Sequence, residues 1–262
     1  MKIGRCFHDF ESGVDGYRRL KELGYEYLEI PLAAAAACDE EKLSRVRLNA
    51  EAGGLGIEAC NIFFPGTLAL LGARFDEKAV YGYAADALRK AALLGIRMAV
   101  LGSGGARRRP DDMPAAEAAE KLAAVFAKTA GIAAENGVTI ALEPLNTAEC
   151  NIITSGAEGI AMVERVNREN FKLLLDIYHM DQNHEPLDAV QKAAPMLRHC
   201  HLAAVPNRAF PGPGRADSYS GFLEALKNAG YRGNMSVESS FETEAADGGV
   251  WHLRRWAEEN MK

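Results

Sequence analysis

The chain has little that would tie it to a membrane, an oxidising compartment or a polyanion. Its apolar runs stop well short of the ~20 residues that a membrane span needs, so no transmembrane helix is expected. Its five cysteines, Cys6, Cys38, Cys60, Cys150 and Cys200, are odd in number and scattered, and no two form a CxxC pair. They read as reduced structural thiols, not as a disulfide framework. The segment MKIGRCFHDF has neither the apolar stretch nor the small-residue cleavage site of a secretory signal, so a cytoplasmic location is expected. Positive charge is also in short supply: 30 Lys and Arg against 36 Asp and Glu leave a net charge of −6. That balance argues against nucleic acid or an anionic membrane surface as partner. The consecutive Arg107, Arg108 and Arg109 are the local exception. No Pro/Ser-rich linker or compositional break divides the 262 residues, so 1–262 is read as one domain.

What is present is an alternation. Short apolar runs occur in KIGRCF from Lys2, YEYLEI from Tyr25, IEACNIF from Ile57, MAVLG from Met98, VTIALEP from Val138, FKLLLD from Phe171, LRHCHL from Leu197 and NMSVES from Asn234. Longer stretches of helical period separate them, and Gly24, Gly95, Gly137 and Gly230 stand where a left-handed cap would close a helix. Eight βα units in about 250 residues predict a closed (β/α)8 TIM barrel, with an open doubly wound sheet as the alternative. The run LAAAAACDEEKL is expected to be the loop after the second strand running into a helix rich in a strong helix former.

The segment FKLLLDIYHM poses a chemical question, because three leucines that ask for burial run directly into Asp176 and then His179. Side chains alternate along a strand, and the C-terminal ends of barrel strands surround the site of chemistry. In the fifth strand Ile140 and Leu142 then face the helices, and Thr139, Ala141 and Glu143 face inward. The eighth repeats the pattern with Met235 and Val237 outward, and Asn234, Ser236 and Glu238 inward. Asp176 ends the sixth strand and His201 stands near the end of the seventh. Any one such carboxylate is more often a helix N-cap or an ion-pair partner. Four in register on adjacent strands are a metal set: Glu143, Asp176, His201 and Glu238. A divalent cation would relieve the repulsion among three buried carboxylates. Oxygen-rich ligation with one imidazole favours Mn²⁺, Mg²⁺ or Co²⁺, with Zn²⁺ a poorer match. His199 shares the parity of His201 and is expected a layer deeper, as a hydrogen-bonded core residue.

The stretches ALEPLN, LLLDIYHM, HCHLAAVPNRAFPGPGR and NMSVES, in this order and spacing, resemble the xylose-isomerase-like sugar phosphate isomerase/epimerase superfamily. That superfamily takes in ketose 3-epimerases, hydroxypyruvate isomerase, inosose dehydratase and, more distantly, endonuclease IV. The resemblance implies one divalent metal per chain, Mn²⁺ above all, on Glu143, Asp176, His201 and Glu238. It also implies Glu143 and Glu238 as the acid/base pair, and Glu149, His179 and Arg208 as holders of substrate hydroxyls. Arg208 follows His201 by seven residues, one more than in typical 3-epimerases. The implied substrate is a small sugar or sugar phosphate, and relatives form homodimers or homotetramers. The chemistry is coherent: removing a proton beside a carbonyl yields an unstable enediolate, for which a divalent ion supplies electrostatic stabilisation. Two carboxylates can then remove and return the proton, giving epimerisation or isomerisation.

Three rivals stand beside that reading. An inosose-type dehydratase would use the same parts. An endonuclease IV-like phosphodiesterase needs further histidines where this chain has Asn61, Phe63, Gly102 and AVPNR. A non-catalytic barrel would not need every ligand and both bases. Residues 101–110, LGSGGARRRP, open onto the same face and are read either as exposed amides with an arginine that hold an anion, which would favour a phosphorylated or acidic sugar, or as a flexible solvated turn. Phe63, Phe64 and His8 stand near strand ends and are expected to line the pocket or pack beside it. Trp251 and Trp256 are expected in the core or at an interface.

Overall fold

In a computed structural model that describes residues 1–239 and 248–261, eight parallel strands close on themselves in sequence order. They are β1 (Ile3–Cys6), β2 (Tyr27–Pro31), β3 (Gly56–Asn61), β4 (Met98–Leu101), β5 (Thr139–Leu142), β6 (Phe171–Asp176), β7 (Leu197–Leu202) and β8 (Asn234–Val237), with β8 paired back to β1. This is a closed (β/α)8 TIM barrel, and each strand coincides with one of the eight apolar runs.

The described α-helices are α1 (Gly13–Glu22), α2 (Leu32–Ala36), α3 (Glu40–Ala52), α4 (Glu77–Leu94), α5 (Gly104–Arg107), α6 (Ala115–Glu135), α7 (Gly156–Val166), α8 (Ile177–Gln182), α9 (Asp188–Ala193), α10 (Ser220–Asn228) and α11 (Trp251–Asn260). Eight of them form the outer layer. The short α2, α5 and α8 are additions that directly follow β2, β4 and β6 at the C-terminal ends of the strands. The alanine-rich helix expected after the second strand is α2, which starts directly at Leu32 with no intervening loop: alanine has the strongest helix propensity and Pro31 supplies an extended N-cap (φ −69, ψ 113). Gly95 closes α4 at φ 92, and Gly24, Gly137 and Gly230 also have positive φ.

The main core lies between strands and helices. Ile140, Leu142, Met235 and Val237 join it, as alternation predicts, while Val100, Ala141 and Leu174 pack within the barrel. Burying each such aliphatic side chain stabilises by about 1.5–3 kcal/mol. Gly4 is needed on β1 because a Cβ there would sit 2.2 Å from the ring of Tyr27. All five cysteines are free. Trp256 packs against the core, whereas Trp251 is half exposed with the Arg254 guanidinium 4.8 Å over its ring. Among the described residues no helix is long and apolar enough to cross a membrane.

Candidate active site

The ends of β5 to β8 bring donor atoms of Glu143, Asp176, His201 and Glu238 within 4.8 Å of one another. Glu143 and Glu238 each lie one residue past their strand, and the ladder extends to hold them: Glu143 N donates to Leu101 O at 3.2 Å and Glu238 N to Leu202 O at 3.0 Å. Asp176 is both a cap and a member of the cluster. Its Oδ1 accepts from Tyr178 N at 2.8 Å, starting α8, while Oδ2 faces Arg208 Nη2 at 3.3 Å and His179 Nε2 at 3.7 Å.

His201 stands at the centre. Its Nδ1 lies 2.8 Å from Glu238 Oε2 and 3.2 Å from Glu143 Oε1. Its Nε2 lies 2.9 Å from Glu29 Oε1, a carboxylate on β2 that is fully buried. The other Glu29 oxygen takes His199 Nε2 at 2.7 Å and the Ser236 hydroxyl at 2.7 Å, and the Tyr27 hydroxyl lies 2.8 Å from Ser236 Oγ. His199 therefore sits a layer deeper as a hydrogen-bonded residue, as expected. Because an ionised carboxylate only accepts, both imidazoles present N–H at Nε2, which leaves Nδ1 of His201 aimed at the cluster.

Electrostatics follow from this crowding. Burial alone would raise the Glu29 carboxyl, but the imidazoles of His201 and His199 hold it well below the usual carboxylate range. Burial would lower His201, yet Glu29, with Cys6 and Glu238, pushes it well above the ordinary histidine value. Glu238 is also opposed by burial, and His201 and Arg208 bring it down to about 2. Asp176 is raised by burial despite His179 and Arg208. His201 and Arg208, whose Nη2 is 2.6 Å from Glu238 Oε2, thus offset part of the negative charge of the acidic cluster. Three carboxylates and an imidazole so close, held together by borrowed positive charge, are a donor set that fits a divalent ion.

His179 is buried, and its Nδ1 accepts from the backbone N of Asn146 at 3.2 Å. In its neutral form the proton is therefore on Nε2, which faces Glu143 Oε1 at 3.8 Å. The Asn146 amide also donates to Glu149 Oε1 at 2.9 Å, so one buried asparagine orients both residues. Glu149 itself is half exposed at 44%. Glu143, Glu149, His179, Arg208 and Glu238 line a cavity of about 310 Å³ together with Asn61, Ile62, Phe64 and residues 102–105. Phe64 reaches this wall, Phe63 packs behind it with ring centroids 4.6 Å apart, and His8 is exposed outside it.

None of the loop arginines lines the cavity. Arg107 is fully buried and donates to the carbonyl oxygens of Leu101 (3.1 Å), Glu143 (2.8 Å) and Ile153 (3.3 Å). Arg109 donates to Met113 O at 2.6 Å, and Arg108 is exposed away from the cavity. On the far side of the mouth, fully buried Arg5 donates to Val237 O (2.9 Å) and Ser239 O (3.4 Å), the residues flanking Glu238. Sequence reasoning missed Glu29, Asn146, Arg5 and the structural use of Arg107. Glu29 had a visible signal, an acidic residue between apolar neighbours inside the run YEYLEI.

Residues 17–260 match the xylose isomerase-like TIM barrel family, and the chain belongs to it. It is 32% identical over 232 residues to an L-ribulose 3-epimerase of Methylomonas sp. (strain DH-1), covering 86% of this chain and 77% of the relative. A D-psicose 3-epimerase of Agrobacterium fabrum is 34% identical, over 44% of this chain and 39% of its own length. The crystal structure of a D-psicose 3-epimerase in the presence of D-fructose superposes with a TM-score of 0.81 at 21% identity, covering 100% of this chain and 99% of that one. With ketose 3-epimerases among its relatives, the chain is an enzyme of the sugar isomerase/epimerase class.

Proposed function

We propose that the protein is a divalent-metal-dependent ketose epimerase, with ketose–aldose isomerisation as the neighbouring reaction of the same machinery. The observation that carries this reading is the convergence of Glu143, Asp176, His201 and Glu238 within 4.8 Å at the mouth of the barrel. These four would hold the ion, Mn²⁺ by preference. When bound it would supply electrostatic stabilisation of the negative charge that develops on the sugar oxygens when a proton leaves the adjacent carbon.

Glu143 and Glu238 are the acid/base pair. They approach the centre from strands three steps apart, so a sugar between them meets one carboxylate on each side. Glu238, held ionised, removes or accepts the proton at one face, and Glu143 serves the other. His179 Nε2–H and Arg208 donate to sugar oxygens, and Glu149, oriented by Asn146, accepts from a hydroxyl. A neutral sugar suits this cavity better than a phosphorylated one. Arg208 is the only Lys or Arg lining it among the described residues, it is already shared by two carboxylates, and residues 240–247 contain no Lys, Arg or His.

The test is to incubate Mn²⁺-loaded protein in deuterated water with ketoses, ketose phosphates, hydroxypyruvate and inososes. Formation of an epimer carrying solvent deuterium is expected with a free ketose, and its suppression in Glu143→Gln or Glu238→Gln. Turnover confined to a dehydrated product, or undiminished deuterium exchange in both variants, would overturn the proposal.

A further inference from the structure

Asn61 ends β3, on the half of the rim opposite the candidate metal ligands, since β3 and β7 are four strands apart in an eight-stranded closed barrel. It pairs with Pro31, two positions after Ala59 pairs with the inward-facing Glu29, so its side chain shares that inward face. It is 3% exposed and lines the same cavity as Glu143 and Glu238. Yet neither its Oδ1 nor its Nδ2 has a hydrogen-bond partner among the described residues.

A buried amide without partners is costly, and such groups in native proteins call for a ligand or a role. The backbone around Asn61 offers a second observation. Ile62, a β-branched residue, has φ 47, a left-handed conformation that such side chains rarely adopt. Its carbonyl oxygen is tied to Ala33 N at 3.1 Å, and Phe64 N donates to Ser103 Oγ at 2.9 Å. The segment is thus pinned from both sides in an unfavourable conformation while the amide within it is left open towards the cavity.

Resting on the sugar reading of the site, we propose that Asn61 is a specificity-determining residue whose amide hydrogen-bonds a substrate hydroxyl remote from the reacting carbons. Those carbons must lie among Glu143, His201 and Glu238, so a molecule spanning the cavity reaches Asn61 with its far end. An amide with both atoms unused can donate to and accept from one hydroxyl, or bridge two neighbouring ones. The ligand class is accordingly a polyol chain long enough to cross the mouth. A two- or three-carbon keto acid would leave the amide unpaired.

The experiment uses full-length Mn²⁺-loaded protein and a ketohexose that it turns over, with the 5-deoxy and 6-deoxy forms of that sugar. Wild type should favour the parent over one deoxy form by about tenfold to a hundredfold in kcat/KM, and Asn61→Leu should collapse that ratio towards one. Asn61→Ala is a second variant that removes the amide without adding bulk. The ligand-free variants should melt no lower than wild type, because an unpartnered amide contributes no stability, whereas one with a structural partner would lower the Tm when removed. Unchanged discrimination in active variants, or a clear loss of Tm, would overturn the role of Asn61 alone. Failure of wild type to turn over any sugar would instead refute the reading of the site on which it depends.

Discussion

Glu29 Oε1 lies 2.9 Å from His201 Nε2, and both residues are fully buried. This contact fixes the imidazole with Nδ1 towards Glu143 and Glu238 and raises its basicity, which is what an outer carboxylate would do for His201 as the proposed metal ligand. Glu29→Gln keeps the shape but removes the charge. Its Mn²⁺ affinity, read by calorimetric titration, should fall about 10- to 100-fold. An unchanged affinity would mean that Glu29 only fills the barrel.

Gly102 lies against the other oxygen of Glu143: a Cβ at this position would stand 2.4 Å from Glu143 Oε2. Gly102→Ala should therefore fold normally while displacing the carboxylate. A shift near 1 Å costs on the order of a hundredfold in kcat. Steady-state kinetics beside far-ultraviolet circular dichroism would check this, and full activity would place the oxygen elsewhere during turnover.

Arg107 answers three buried carbonyls, including that of Glu143 itself. Arg107→Met leaves them without this donor, and the expected loss of stability is about 3 kcal/mol or more. For a chain of this size that lowers Tm by roughly 6–12 °C. Chemical denaturation of the metal-free protein gives the value, and a loss below about 1 kcal/mol would show that water replaces the guanidinium.

The acid behaviour of the metal-free protein follows from Glu238. Its folded pKa of about 2 lies below the ~4.3 of an unfolded glutamate, so its contribution is complete above ~4.3 and vanishes as pH falls towards 2. His201 runs the other way. Its raised pKa makes its contribution complete below ~6.5 and lost as pH climbs through the folded value. The Tm gap between wild type and Glu238→Gln should thus be widest near neutrality and close on acidification. A gap that persists at about pH 2 would contradict the ion pairing of Glu238 with His201 and Arg208.

The barrel and the acidic cluster were legible because both rest on short-range patterns. Strands are apolar runs, parity puts Glu143 and Glu238 on the face of Ala141 and Ser236, and the parallel order of neighbours sets Asp176 opposite His201. The rest was hidden for identifiable reasons. Alternation counted from the core residue Ile57 would turn Asn61 outward, but a register shift between Leu28 and Glu29 against β3 reverses the faces beyond it. Arg107 reads as a solvated charge among three arginines until the carbonyls of three separate segments are seen to surround it.

The order of residues alone determined an eightfold alternation of strand and helix and the acidic and imidazole strand ends at one mouth, because periodicity and propensity act between near neighbours. Only the closed barrel decided that Glu29 meets His199 and His201, 170 and 172 positions away, and that Arg5 braces the strand bearing Glu238 from 232 positions away. Such pairings come from packing across the barrel, where each buried charge must find its partner in three dimensions, and no local pattern in the chain records them.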